Sequence, residues 1–232
     1  MPRTPAPERL TDIAEAATRV FGRLGYQRTH MADVAAEAGL SSGAIYTYVA
    51  SKEALFHLVF AQAFGQLAEG HPPLPLTTPA PAETLALIAR GLQQAAATPV
   101  LRAARDEADP VDVRAELTAI VEERYDFTER LWPVLAVIER SAVDLPELDE
   151  LYFRRGRRGQ LGHLTRYLEQ RATSGHLRTM PDATVAARLV TEAITWFAWH
   201  RHQDRDAAAY DDVQARRTVI AFVCNALIEP SC

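Results

Sequence analysis

Few residues of this chain have types and spacings that could carry covalent chemistry. His200 and Asp204 stand four positions apart, which would place both on one helical face as two metal ligands, while His202 falls on another face. Two donors do not close a coordination shell, so the expectation is a helix-end histidine paired with solvent or an acid. Cys224 lies in an apolar run and reads as a buried, inert thiol. There is no glycine-rich phosphate loop, no pair of cysteines at metal spacing and no Gly-x-Ser-x-Gly elbow. Catalytic residues are therefore none, no metal or cofactor is implied, and an enzyme is not expected. The residue that most invites a ligand is Lys52. It follows Ser51, a good N-cap, so its cation sits at a helix N-terminus where the macrodipole disfavours it. A phosphate at that point would explain it. Lys52 is also the only lysine of the chain.

The elements that would position Lys52 occupy Thr29 to Phe56. Met31, Val34, Ala35 and Ala38 recur at helical spacing behind a possible cap at Thr29 or His30, and Gly39 stops that helix. Ser41 then offers a second cap to a short helix with a narrow apolar seam of Ile45 and Val49, leaving Ser42, Gly43, Ala44, Thr47 and Tyr48 directed elsewhere. Helix, tight glycine-containing turn, helix is the helix-turn-helix arrangement, whose second helix can enter the major groove of DNA. Upstream, Leu10, Ile13, Ala14, Ala17, Val20, Phe21 and Leu24 mark one face of a first helix ended by Gly25, which would brace the pair. Met1 to Pro7, with three prolines, reads as a mobile arm.

The run G-Y-x-x-T-x-M-x-x-V-A-x-x-A-G-x-S-x-G-x-I-Y-x-Y-V-x-S-K-E-x-L, from Gly25 to Leu55, closely resembles the N-terminal domain of the TetR family of transcriptional regulators. The resemblance implies that Tyr46 and Lys52 hold phosphates and that the surface of the second helix reads bases. Together with the residues around them, the expected DNA-contacting set is Thr29, Ser42, Gly43, Ala44, Tyr46, Thr47, Tyr48 and Lys52. Ser42 stands where the family is often basic, His30 where a hydroxyl is common, and Val49 where phenylalanine is frequent.

Size and charge bound the alternatives. With 232 residues and 48% hydrophobic content the chain can bury a full core, and two domains fit best, divided as 1–52 and 53–232. The net charge of -5 argues against a protein that coats nucleic acid indiscriminately. Met1 to Phe60 carries six basic and six acidic residues, so any DNA contact must be local. No apolar run approaches the ~20 residues of a membrane helix. The start MPRTPAPERL lacks the apolar core of a secretion leader, and Cys224 and Cys232 cannot staple the chain, so a cytoplasmic location is expected.

The remainder reads as all-α. A helix from Ser51 carries apolar residues on two sides, as a lever between domains would. The segment His71 to Pro81 holds five prolines and reads as the domain connection or a long loop near it. Helices follow over Ala82 to Thr98, ended by Pro99, over Val100 to Ala108, and from about Val111 with a kink expected at Pro133. Another begins near Leu145 and is closed by Gly175; its Arg154, Arg155, Arg157 and Arg158 read as an ion-paired face. The last two span about Ala183 to His202 and Asp211 to Ile228. Twelve of the seventeen residues from Ala183 to Trp199 are apolar, too many for one stripe, which suggests that a second copy covers this helix. The resemblance implies the same homodimer, paired through these two helices. Tyr125, Trp132, Tyr167, Trp196 and Trp199 could line an apolar effector pocket or could equally be core. The expectation is a regulator, a repressor released from a palindromic operator by a small molecule. The alternatives are an all-helical small-molecule binder or enzyme without DNA binding, or a purely structural dimer.

Overall fold

The computed structural model describes residues 9–66, 73–80, 82–95, 98–107, 109–207 and 210–229; the N-terminal arm and Cys232 lie outside them. Regular structure among these residues is helical, with one isolated β-bridge between Val49 and Leu76. None of the described helices is long and apolar enough to cross a membrane. By spatial proximity the chain divides into two compact units, Met1–Ala95 with Pro133–Phe153, and Ala96–Trp132 with Arg154–Cys232.

In the first unit, α1 (Arg9–Leu24) buries Leu10, Ile13, Ala14, Ala17, Val20 and Phe21, the stripe seen in the sequence. Gly25 follows at φ +78, and a Cβ there would stand 2.9 Å from the Arg140 carbonyl oxygen, so turn and close approach both require glycine. Helix α2 (Met31–Glu37) opens with the His30 amide donating to the Asp33 carboxylate at 2.8 Å. It ends at Gly39, φ +66, with the Leu40 amide returning to the Ala35 carbonyl at 2.8 Å. Helix α3 (Lys52–Ala63) starts at Ser51, whose Oγ accepts from the Ala54 amide at 3.1 Å. Phe56 is its anchor, meeting Tyr26, Phe60 and Phe21 edge-on at 4.8, 5.0 and 5.1 Å. Helix α4 (Glu83–Ala95) packs against α3, and Gly91 makes this possible: a Cβ there would fall 2.2 Å from the Phe64 ring.

The proline-rich segment behaves differently from a free connection. Over 73–80 it lies against the head: Leu76 donates to the Tyr48 carbonyl at 2.8 Å and accepts from the Ala50 amide at 2.9 Å. Thr78 Oγ1 adds a bond to Ser51 Oγ at 2.9 Å. By the same spatial grouping α3 and α4 belong with α1 and α2.

Pro99 begins α5 (Pro99–Asp106) rather than closing the helix before it, since at the first helical position its missing N–H costs nothing. Helix α6 (Val113–Ala142) runs through Pro133 and contributes to both units. After the single turn α7 (Pro146–Asp149), the chain winds as a π-helix over Glu150–Arg157 and returns to α-helical pitch in α8 (Arg158–Thr173). Arg157 pairs with Glu192 at 3.2 Å, as an ion-paired face would. Helices α9 (Ala183–Ala198) and α10 (Asp212–Leu227) begin at Asp182 and Asp211, whose carboxylates accept the free amides of the first turn.

The second unit closes around a buried charge. Arg171 on α8 is 0% exposed, its Nε and Nη2 donating to Glu116 of α6 at 2.8 and 2.9 Å. Its guanidinium also reaches the carbonyls of Ala104 and Glu107 at 2.6 and 3.0 Å, and the Tyr167 hydroxyl donates to Glu116 at 2.9 Å. One side chain thereby ties α5, α6 and α8 together beside Leu117, Val121, Ala187 and Val223.

Candidate nucleic-acid interface

The second helix of the pair, expected as a short helix from Ser41, is a four-residue 3-10 turn, Ala44–Thr47. Gly43 and Ser42 precede it, the β-branched or aromatic Ile45, Tyr46 and Thr47 fill it and Tyr48 and Val49 follow, a composition too poor in helix formers to hold α-helical pitch alone. Packing holds it in place: Ile45 and Val49 are 0% exposed and Tyr48 is 7% exposed. Ser41 Oγ accepts from the Ala44 amide at 3.3 Å.

The buried seam sets what faces outward. Ser42, Gly43, Tyr46 and Thr47 are exposed, Tyr46 by 50%, and Ala44 is half-buried. Thr47 donates its hydroxyl to the Ala44 carbonyl at 2.7 Å, leaving its methyl and an oxygen lone pair free. Gly43 has nothing within 4 Å of the position a Cβ would take. These five residues form one small, open surface without a charged side chain.

The other three expected contacts stand behind that surface. Thr29 is 1% exposed and gives its hydroxyl to the Gly25 carbonyl at 2.7 Å. Tyr48 belongs to the core. Lys52 points back into the head: Nζ lies 3.1, 3.4 and 3.3 Å from the carbonyl oxygens of Tyr26, Gln27 and Thr29, and 4.5 Å from the centre of the Tyr26 ring. An ammonium has three N–H donors, and three carbonyls receive them. These contacts compensate the unfavourable helix-terminal position without an external anion.

Nearby charges are braced in the same manner. Glu37 of α2 accepts from Arg19 Nε at 2.8 Å and Arg23 Nη2 at 3.1 Å, and the hydrogen bond from Arg19, then that from Arg23, holds its carboxyl below the ordinary range. Glu53 accepts the Tyr26 hydroxyl at 2.9 Å. Burial first, and this carboxylate second, push the Tyr26 phenol upward. Arg19 and Arg23 thus link α1 to α2 through Glu37, and Lys52 links α3 to the turn between them.

The aromatic residues considered as pocket walls lie in packed surroundings. Tyr125 and Tyr167 are 0% exposed, their hydroxyls bonded to the Phe197 carbonyl at 3.3 Å and to Glu116 at 2.9 Å. Trp132 stacks on His202 with ring centres 5.7 Å apart, Trp196 meets Phe197 edge-on at 4.7 Å, and Trp199 is 3% exposed. An open cavity of about 210 Å3 in this unit is lined by other residues, among them Leu168, Leu177, Arg178, Met180 and Leu227. No sequence pattern singled these out, because they come from a helix end, a loop and the last helix. The possible His200 and Asp204 metal pair is not on one helical face, since α9 stops at Ala198 and His200 lies in a separate 3-10 turn. No group of three candidate metal ligands occurs among the described residues.

Comparisons with known proteins agree with this architecture. The family described as bacterial regulatory proteins, tetR family, matches residues 13–59, and the C-terminal domain of AefR-like transcriptional repressors matches residues 117–224. An uncharacterised HTH-type transcriptional regulator of Bacillus subtilis, YfiR, is 42% identical over 52 residues, which span 22% of this chain and 25% of that protein. Among solved structures, the ketosteroid transcriptional regulator KstR2 of Mycobacterium tuberculosis superposes with a TM-score of 0.57 at 16% identity, covering 98% of both chains. The MbdR regulator of Azoarcus sp. CIB gives 0.55 at 17% identity over 95% of this chain and 100% of its own. AibR, solved with isovaleryl coenzyme A and operator DNA, gives 0.53 at 17% identity over 92% and 97%. At these identities the structures establish a shared fold, and with its head and its C-terminal helices matched by family, the chain belongs to the TetR family of bacterial regulatory proteins.

Proposed function

We propose that this protein is a homodimeric transcriptional repressor that binds a palindromic DNA operator through its N-terminal head and releases it when a small molecule binds among its C-terminal helices. The observation that carries the reading is the open face of the Ala44–Thr47 turn, where exposed residues stand directly on a buried seam. Ser42, Gly43, Ala44 and Thr47 are small enough for close approach to base edges, and the Thr47 methyl suits contact with a thymine methyl. Tyr46 holds a phosphate from its exposed position. Thr29, Tyr48 and Lys52 keep the turn in register behind them.

Two copies are needed to place two turns about 34 Å apart in successive major grooves. Val185 and Leu189 on α9 and Phe222 on α10, exposed by 55, 68 and 69%, supply an apolar surface suited to pairing with a second chain. The effector acts by binding best to the arrangement whose half-site spacing is wrong. AibR, solved with isovaleryl coenzyme A and operator DNA, shows that the shared fold accommodates both a small molecule and an operator.

Tyr46→Ala tests the face. Fluorescence anisotropy on a bound duplex should show affinity about tenfold weaker on every sequence, the size expected when a charge-assisted hydrogen bond to phosphate is removed. Unchanged affinity would move the contact surface away from this turn.

A further inference from the structure

Building on the DNA-binding reading above, we infer that the head selects its operator through the C5-methyl groups of thymines rather than through hydrogen bonds to guanine or adenine. Two-bond recognition of a base edge in the major groove calls for arginine or lysine at guanine and for asparagine or glutamine at adenine. Residues 31–51, which carry α2, the tight turn and the Ala44–Thr47 face, contain none of these four and no histidine. The forked side chains closest in the chain, Gln27 and Arg28, stand in the turn gripped by Lys52, with Arg28 Nε on the Leu24 carbonyl at 2.8 Å.

The polar groups that are present within this segment are engaged elsewhere or select weakly. Asp33 accepts the His30 amide at 2.8 Å and Glu37 holds Arg19 and Arg23, so both carboxylates have work inside the head rather than at a cytosine amino group. Thr47 gives its hydroxyl proton to the Ala44 carbonyl at 2.7 Å, and Ser41 Oγ accepts from the Ala44 amide at 3.3 Å. Ser42 keeps one hydroxyl, which suits several base edges equally.

Methyl groups and open space are what the face offers. Ala44 and Thr47 carry one methyl each and flank Ile45, whose side chain is 0% exposed and fixes the turn from behind. Gly43 has nothing within 4 Å of the position a Cβ would take, so a base edge can come close beside them. The thymine methyl is the apolar feature of the major groove, and covering it with another methyl removes both from water. The burial of one such carbon is worth about fourfold in affinity. A homodimer makes each contact twice.

Base analogues in the preferred duplex recovered from a random pool test this with the full-length protein, by fluorescence anisotropy. Replacing thymine by uracil, one position at a time, should weaken binding about fourfold at a contacted base, and about tenfold or more when its symmetry-related copy is changed as well. Replacing guanine or adenine by its 7-deaza form, which removes the N7 acceptor, should leave affinity within about twofold. These arms change only the DNA and so do not depend on a variant folding. Thr47→Ser removes the methyl and keeps the hydroxyl; it should cost the dimer about tenfold on the thymine duplex and nothing further on the uracil one. Silent uracil exchanges, a tenfold or greater loss at any 7-deaza position, or an equal loss from Thr47→Ser on both duplexes would overturn methyl readout while leaving the regulator reading in place. Failure to prefer any duplex would overturn both.

Discussion

Glu116→Ala is expected to lower the stability of the protein by about 3–5 kcal/mol, the usual consequence of breaking a buried ion pair by removing one partner. The reason is Arg171. With 0% exposure it cannot turn to water, and it would keep its charge while losing the carboxylate that receives both Nε and Nη2. The Tyr167 hydroxyl would lose its acceptor in the same step. For a chain of this length the thermal midpoint should fall by roughly 10 °C or more. The pair itself need not be a large net source of stability, since desolvation offsets much of its attraction. A double-mutant cycle separates these statements: Glu116→Leu combined with Arg171→Met should be less destabilising than the sum of the two single changes, with a coupling energy near the upper end of the ~0.5–3 kcal/mol found for contacting residues. Simple additivity would mean that the two side chains do not act as a unit.

The second large effect concerns DNA. Lys52→Met removes the donor shared by the Tyr26, Gln27 and Thr29 carbonyls and so loosens the turn between α1 and α2. Operator affinity should fall by about tenfold or more, because hydrogen bonds from a charged donor are each worth roughly 1.5–3 kcal/mol and the turn sets where α2 stands. The salt dependence distinguishes how. If Nζ stays on its carbonyls in the complex, affinity drops while the slope of log affinity against log salt is unchanged. If Nζ leaves them for a phosphate, the substitution flattens the slope by about 0.9 for that one phosphate. The geometry favours an unchanged slope. A lysine that only decorated the surface would alter neither quantity.

The sequence made the framework legible because local rules governed it. The stripe of α1, the glycine stops at Gly25 and Gly39 and the Ser51 cap are each decided within one or two helical turns, and the structure has them where spacing put them. The destination of Lys52 was not legible. Its partners lie 23–26 residues upstream, and helix-dipole reasoning sees an unsupported cation without seeing the carbonyls folded over it. The recognition turn was found but its pitch was not, since Ile45 and Val49 at a spacing of four fit both a full helix and a shorter turn held by burial. The proline-rich segment presents a similar case. Proline density excludes helix, yet it does not reveal that Leu76 exchanges backbone bonds with Tyr48 and Ala50. Aromatic side chains were an ambiguous signal for a pocket, because large rings fill interiors as readily as they line cavities. Tyr125 and Tyr167 are packed and hydrogen-bonded, whereas the cavity near Arg178 is walled mainly by leucine, methionine and alanine, which no composition rule sets apart.

The most direct measurement is recovery of preferred sites from a pool of random duplexes by the purified full-length protein, followed by sequencing. The expected result is one dominant motif: an inverted repeat with half-site centres one helical turn apart, about 10 base pairs, or a whole multiple of it, the same motif being recovered more weakly with Tyr46→Ala. Recovery of no enriched sequence, or of a motif without two-fold symmetry, would contradict a dimer that reads DNA through two copies of this turn.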